Sequence, residues 1–157
     1  HILRSMHFRD QWSPDGLIPT LLPVWMSPCG RSAGKNSIVA GSGNATLFGG
    51  GDGDQFTGGS GNDTFVAAHG ASTMTAGTGH DTFEFSSASG GANDLISNFR
   101  QGVDQVLLQG YGSKTVADMI TAQTHPTSGS SMLTLPDGTK ITFSDVSNIK
   151  MTDIKSG

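Results

Sequence analysis

The chain has 157 residues, 23 of them Gly, a hydrophobic content of 34% and a net charge of −4. That balance describes one compact domain with a thin core and many turns, which must draw stability from something besides hydrophobic burial. Nucleic acid is excluded as a partner, because binding it needs clustered Lys and Arg, and no run of 18 apolar residues exists to form a transmembrane helix. A single cysteine, Cys29, rules out an internal disulfide framework and a cysteine-based zinc site.

Residues 1–30 carry Trp12 and Trp25, four prolines (Pro14, Pro19, Pro23, Pro28) and an apolar stretch from Leu17 to Met26 that proline breaks too often for a long helix. Two readings stand for this segment: a cover over the open end of a repeat array, or the remainder of a preceding domain. The first residue is His1, and the N-terminus lacks the charged, apolar, small-residue order of a signal peptide. The expectation is therefore the end of a longer protein. Cys29–Ser37, CGRSAGKNS, superficially suggests a phosphate loop and fails as one, with Cys29 at the first Gly place and Asn36 where Ser or Thr must hold magnesium.

From residue 31 to residue 84 one phrase of nine residues recurs six times without insertion: RSAGKNSIV, AGSGNATLF, GGGDGDQFT, GGSGNDTFV, AAHGASTMT and AGTGHDTFE. The eighth place is always a large apolar residue (Ile38, Leu47, Phe56, Phe65, Met74, Phe83), and the sixth carries Asn36, Ala45, Asp54, Asp63, Ser72 and Asp81. A period this short predicts a solenoid. Gly, Asn and Asp in the first six places suit a tight turn with positive φ angles, and the last three suit a short strand whose middle side chain faces inward. Two units close a coil of 18 residues, and coils stacked at roughly 4.8 Å align the eighth-place residues into a narrow core.

The turns are where chemistry is expected. A Gly-rich loop exposes backbone carbonyls and the following Asp adds a carboxylate, which together form the all-oxygen shell preferred by a hard cation such as calcium. Alternate repeats fall on opposite edges, so Ala45, Asp63 and Asp81 share one edge and Asn36, Asp54 and Ser72 the other. Asp63 and Asp81 give two carboxylates on adjacent coils, and that pair is the principal expected site. The alternative is that each Asp only closes an Asx-turn.

The phrase GGxGxDxUx resembles the nonapeptide of the RTX family, calcium-binding β-roll repeats of bacterial proteins exported by type I secretion. Gly58 to Val66 fits it at every defined place, and Gly49 to Thr57 fits with Asp52 at the fourth. The resemblance implies calcium held by Asp63, Asp81, Asp54 and Asp52 with the turn residues Gly58, Gly59, Gly61, Gly77 and Gly79. After the Ser and Gly stretch 86–91, the segment Asp94 to Leu108 is similar to the DxIxxFxxGxDxVxL block that follows the repeats in many RTX proteins, including serralysin-type proteases. It implies that Asp94, with Asp104 behind it, continues the calcium ladder.

Further on, Thr115 to Gln123 reads as a helix with Thr115 and Asp118 as a capping box, an apolar stripe of Val116, Met119 and Ile120, and an end at His125-Pro126. Met132 to Leu135 and Thr139 to Phe143 read as a hairpin around Pro136-Asp137-Gly138, with Leu133, Leu135, Ile141 and Phe143 inward. The expected architecture is thus all-β: a parallel β-roll solenoid over residues 31–99, an N-terminal extension or cap over 1–30, and a C-terminal capping segment of strands and one short helix over 100–157, where the family carries its secretion signal.

No catalytic constellation is present, with neither His-Glu-x-x-His nor Gly-x-Ser-x-Gly in the chain. Asn44-Ala45-Thr46 and Asn62-Asp63-Thr64 match a glycosylation acceptor but fall inside the repeat's turn chemistry. His80 is read as a solvated turn residue. The resemblance implies a secreted, non-enzymatic, calcium-dependent folding and secretion module whose partners are calcium and a type I exporter. Two alternatives stay open: an extracellular binding or assembly module (adhesin, surface layer or polysaccharide-binding), or the tail of a secreted hydrolase whose catalytic domain lies upstream.

Overall fold

In the computed structural model, the residues described are 35–88 and 90–157. The readings made for residues 1–30, Cys29 included, and for the opening residues of the first repeat lie outside them. The last three residues of each repeat do become strands, because Thr and large apolar side chains suit a pleated, half-buried surface. They are β1 (Ser37–Val39), β2 (Thr46–Phe48), β3 (Asp54–Thr57), β4 (Thr64–Val66), β5 (Ser72–Thr75) and β6 (Thr82–Ser86). Then follow β7 (Asn93–Ser97), β8 (Gln105–Gln109), helix α1 (Ser113–Thr121), β9 (Ser131–Thr134), β10 (Lys140–Phe143) and β11 (Ile154–Ser156).

From β1 to β8, successive strands go to opposite sheets. One sheet runs β1-β3-β5-β7-β10-β9, the other β2-β4-β6-β8-β11, and every pair is parallel except the β9–β10 hairpin. The register stacks like on like: Ile38, Phe56, Met74, Ile96 and Phe143 form one column, and Leu47, Phe65, Phe83, Val106 and Ile154 the other. All ten are buried. Phe65 and Phe83 stack with ring centroids 4.7 Å apart and planes within 5°. This is a β-solenoid with one continuous core column in each sheet, joined in the second sheet by the buried pair Phe85 and Leu108.

Both sheets continue beyond the repeats, over longer steps. The 18-residue step gives way to 22 residues between Ser72 and Asp94 and to 23 between Asp81 and Asp104. Strand β10 joins β7 only after the excursion through α1 and β9. The hairpin forms as its residues suggest, with Gly138 at φ +88° in the turn and Leu133, Leu135, Ile141 and Phe143 buried.

Two local expectations are corrected. Helix α1 starts at Ser113 with Gly112 at its N-cap and no side-chain cap, so Thr115 lies inside it, and Asp118 pairs with Lys114 at 3.3 Å instead of closing a capping box. It ends at Thr121, where the Ala122 N–H reaches back to the Asp118 carbonyl at 3.0 Å and the Gln123 N–H to the Ile120 carbonyl at 3.4 Å, before His125-Pro126 is reached. The second correction concerns glycine. Within the described repeats positive φ belongs to Gly53; Gly58, Gly59, Gly61, Gly77 and Gly79 are needed for clearance. A Cβ on Gly59 would land on the carbonyl of Gly41, one on Gly61 on Gly43, one on Gly77 on the carbonyl of Gly59, and one on Gly79 on the carbonyl of Gly61. Coils touch backbone to backbone at these turns, which no side chain permits.

Candidate metal centre

Stacking the coils puts the sixth-place residues of alternate repeats one above another, and the backbone amides of one coil meet the carboxylates of the next. On the first edge, Asp63 Oδ1 accepts the Ala45 amide at 2.9 Å, Asp81 Oδ1 accepts the Asp63 amide at 2.9 Å, and Asp104 Oδ1 accepts the Asp81 amide at 3.1 Å. The second oxygen of each binds within its own turn, to the amides of Gly59 at 2.8 Å, Gly77 at 2.7 Å and Arg100 at 2.8 Å. The three carboxylates are almost fully buried. Asp63 and Asp81 are thus brought together, and Asp104 joins them as an equal member.

The other edge is discontinuous. Asp54 accepts four donors: the Asn36 amide at 3.0 Å and its Nδ2 at 2.9 Å, and the amides of Gly50 at 2.9 Å and Gly51 at 3.3 Å. Ser72 registers opposite Asp54 and turns its hydroxyl to the Gly70 carbonyl at 3.5 Å. Asp94 follows, its Oδ1 taking the Ser72 amide at 2.9 Å, while its buried Oδ2 has no hydrogen-bond partner.

Burial sets the proton affinities. Asp63 is pushed up, first by desolvation and lastly by the Asp81 charge, with the Gly59 and Ala45 amides pulling it back. Asp94 is raised to about 6 by desolvation, against a single opposing amide from Ser72. In both, the ionised form is short of positive partners.

The remaining sequence candidates divide. Asp52 is exposed, and its Oδ1 takes the Ala71 amide of the next coil at 2.9 Å, so it ties turns together from outside. Gly58, Gly59, Gly61, Gly77 and Gly79 line the close approach of the turns. Two features went unread in the sequence. The fifth place carries its own ladder, with Asn44 Oδ1 on the Asn62 amide at 2.8 Å, Asn62 Oδ1 on the His80 amide at 2.8 Å, and His80 Nδ1 at 3.1 Å from the Val103 carbonyl. Asn at one repeat place in two copies was its signal. The other is Arg100, whose guanidinium reaches the carbonyls of Thr78 at 3.2 Å and Gly79, and the Asp104 carboxylate at 3.1 Å.

The donor set suits a hard cation: carboxylate and carbonyl oxygens, with a guanidinium already seated among the same kinds of atom at the Arg100 turn. Among the described residues no three His, Cys, Asp or Glu side chains converge. A cation here would therefore be held by one or two of Asp63, Asp81, Asp54 and Asp94 with turn carbonyls completing its shell.

A model of the family described as Peptidase M10 serralysin C terminal matches residues 34–150. No curated protein matches the chain.

Proposed function

From the premise that the chain belongs to the serralysin C-terminal family, an RTX-type repeat module, we propose that it is a calcium-dependent folding and secretion module that binds calcium between its Gly- and Asp-rich turns. The observation that carries this reading is the buried carboxylate row Asp63, Asp81 and Asp104, held one coil apart by backbone amides. Desolvated carboxylates in one column repel each other, and the Asp81 charge adds to the burial that raises Asp63. A divalent cation between Asp63 and Asp81 removes that penalty, and its binding free energy becomes folding free energy.

The thin core makes the dependence strong. In the short repeat strands each coil contributes one large inward side chain per sheet, and only the later strands add a second, as Phe85 and Leu108 do. Extracellular calcium modules bind at roughly 10⁻⁴ to 10⁻³ M, far above cytosolic free calcium, so the chain stays unfolded inside the cell and folds outside. That order of events suits passage through a type I exporter and places the folded product in the extracellular medium. Among the described residues no helix is long and apolar enough to cross a membrane.

The family match falls on the C-terminal repeat region of these proteases and not on their catalytic domain. We assign the chain no catalysis of its own. Circular dichroism in chelator and then in millimolar calcium tests the proposal: β-structure and melting temperature should both rise. An unchanged spectrum together with an unchanged melting temperature removes it.

A further inference from the structure

At the last gap of the Asp63, Asp81, Asp104 edge the coil lengthens from 18 to 23 residues, and the residue four before the carboxylate changes type. Gly59 and Gly77 hold that place in the repeats, and Arg100 holds it here. The backbone role is the same, since all three amides donate to the Oδ2 of the carboxylate four residues on, at 2.8, 2.7 and 2.8 Å. What differs is that a side chain now fits. In the tight coils a Cβ on Gly77 would strike the Gly59 carbonyl; the longer coil leaves room, and the Arg100 side chain folds into the gap between turns.

Its guanidinium there meets an all-oxygen set. Nη1 donates to the Thr78 carbonyl at 3.2 Å, Nη2 to the Gly79 carbonyl and to Asp104 Oδ1 at 3.1 Å, and Nε to Asp104 Oδ2 at 3.3 Å. Asp104 is fully buried as a side chain while Arg100 is 36% exposed, so the ion pair is more than a solvated surface contact. The repeat translates these oxygens to the preceding gap as the carbonyls of Ser60 and Gly61 with the Asp81 carboxylate. One gap supplies its own positive charge and its neighbour does not.

We propose that Arg100 is a tethered cation occupying the final inter-turn place on this edge, so that this gap closes without metal and the row of metal sites ends there. The second half rests on the calcium reading above; the first does not. Amide exchange on the whole chain in chelator separates them. The amides of Asp81 and Gln105, which close the Arg100 gap by bonding Asp104 Oδ1 and the Asp81 carbonyl, should be protected above those of Asp63 and Thr82, which close the gap before it.

Arg100→Gly, which restores the repeat's residue type, should abolish that extra protection in chelator. In calorimetric titration it should bind one more calcium per chain than the parent. Arg100→Lys, which keeps a cation on a tether, should keep the parent's stoichiometry. Equal or reversed protection of the two gaps in the parent chain overturns the assignment even if Arg100→Gly fails to fold. An unchanged calcium number in a folded Arg100→Gly overturns it as well. Absence of calcium binding to both chains defeats the proposed function, and the exchange comparison then decides the role of Arg100 by itself.

Discussion

The two edges of the solenoid share one backbone repeat and differ in what stands at its sixth place. On the Asp63, Asp81, Asp104 edge each carboxylate accepts one amide from the coil before and one from its own turn. On the opposite edge Asp54 is saturated by four donors, Ser72 interrupts the row, and Asp94 keeps an unpartnered buried oxygen. A carboxylate has about four lone-pair sites. Asp54 has used all of them on protein hydrogen, whereas Asp63 and Asp81 have each used two. The comparison separates burial and register, which the two edges share, from spare acceptor capacity, which Asp63 and Asp81 keep and Asp54 does not.

The largest expected effect breaks the first edge. Asp81→Ala strands the amides of Asp63 and Gly77, and Asp63→Ala those of Ala45 and Gly59, at about 1–3 kcal/mol for each buried donor. Either change should also weaken calcium binding about tenfold or more, because one carboxylate of the facing pair is gone. Asp54→Ala strands four donors, so in chelator it should cost at least as much stability, yet its effect on calcium affinity should be the smallest of the three. Denaturant melts in chelator and calorimetric titrations in calcium would therefore rank the variants in different orders. If Asp54→Ala loses the most affinity, the site has been placed on the wrong edge.

The regularity that lines up Asp63 and Asp81 is also what makes that edge legible in the sequence. A strict nine-residue period determines which residues share an edge, and the columns from Ile38 and Leu47 follow from it without knowledge of any contact. The period says nothing about clearance, however. Glycine at the first, second and fourth places reads as turn geometry, and only the stacked coils show that a Cβ on Gly59 or Gly79 would strike a neighbouring carbonyl. Legibility fails where the step lengthens. Because Asp104 lies 23 residues from Asp81, counting in nines cannot equate Arg100 with Gly77, and Asp104 ranks behind Asp94 although it continues the stronger row. The start of helix α1 differs from the sequence expectation for a local reason: a Thr three residues before an Asp resembles a capping box, while Gly112 caps with its backbone alone.

The orphan oxygen of Asp94 sharpens the comparison through pH. Burial raises its carboxyl to about 6 in the folded chain, against 3.8 for the solvent-exposed carboxyl of the unfolded one. Below 3.8 both states hold the proton, and between the two values only the folded state does. Unfolding then releases a proton, so stability falls as pH rises from 3.8 to about 6 and is flat above, a loss on the order of 3 kcal/mol in chelator. Asp94→Asn keeps an oxygen for the Ser72 amide but carries no charge, and it should flatten that fall. Melting temperatures at pH 4, 5, 6 and 7 read the slope directly; a parent chain that gains stability across this window contradicts the account of Asp94.

The smallest effect, and the most constructive, is repair of the interrupted edge. Ser72 lies buried in register with Asp54, and its short side chain reaches only the Gly70 carbonyl at 3.5 Å. Ser72→Asp would place a carboxylate where the repeat puts Asp81 on the other edge, within reach of the Asp54 amide as Asp81 is within reach of that of Asp63. The amide bond gained stabilises by about 1 kcal/mol, and the new charge, set beside Asp54, costs some of that in chelator. For calcium to reverse the balance it must displace part of the four donors on Asp54, the Gly51 amide at 3.3 Å first, so that two carboxylates face it across adjacent coils. Affinity on that edge should rise by up to about tenfold, or 1.4 kcal/mol, with the Asp63, Asp81 site unchanged. Gly49 tests whether room exists, because a Cβ there would lie 3.5 Å from Ser72 Oγ and 3.2 Å from the Ala68 amide, so the turn is close but not closed. A variant that folds in calcium and shows no gain on this edge would mean that the Ala67 to Ser72 turn aims its carbonyls elsewhere, and that the sixth-place carboxylate needs the glycines of its own repeat to make a site.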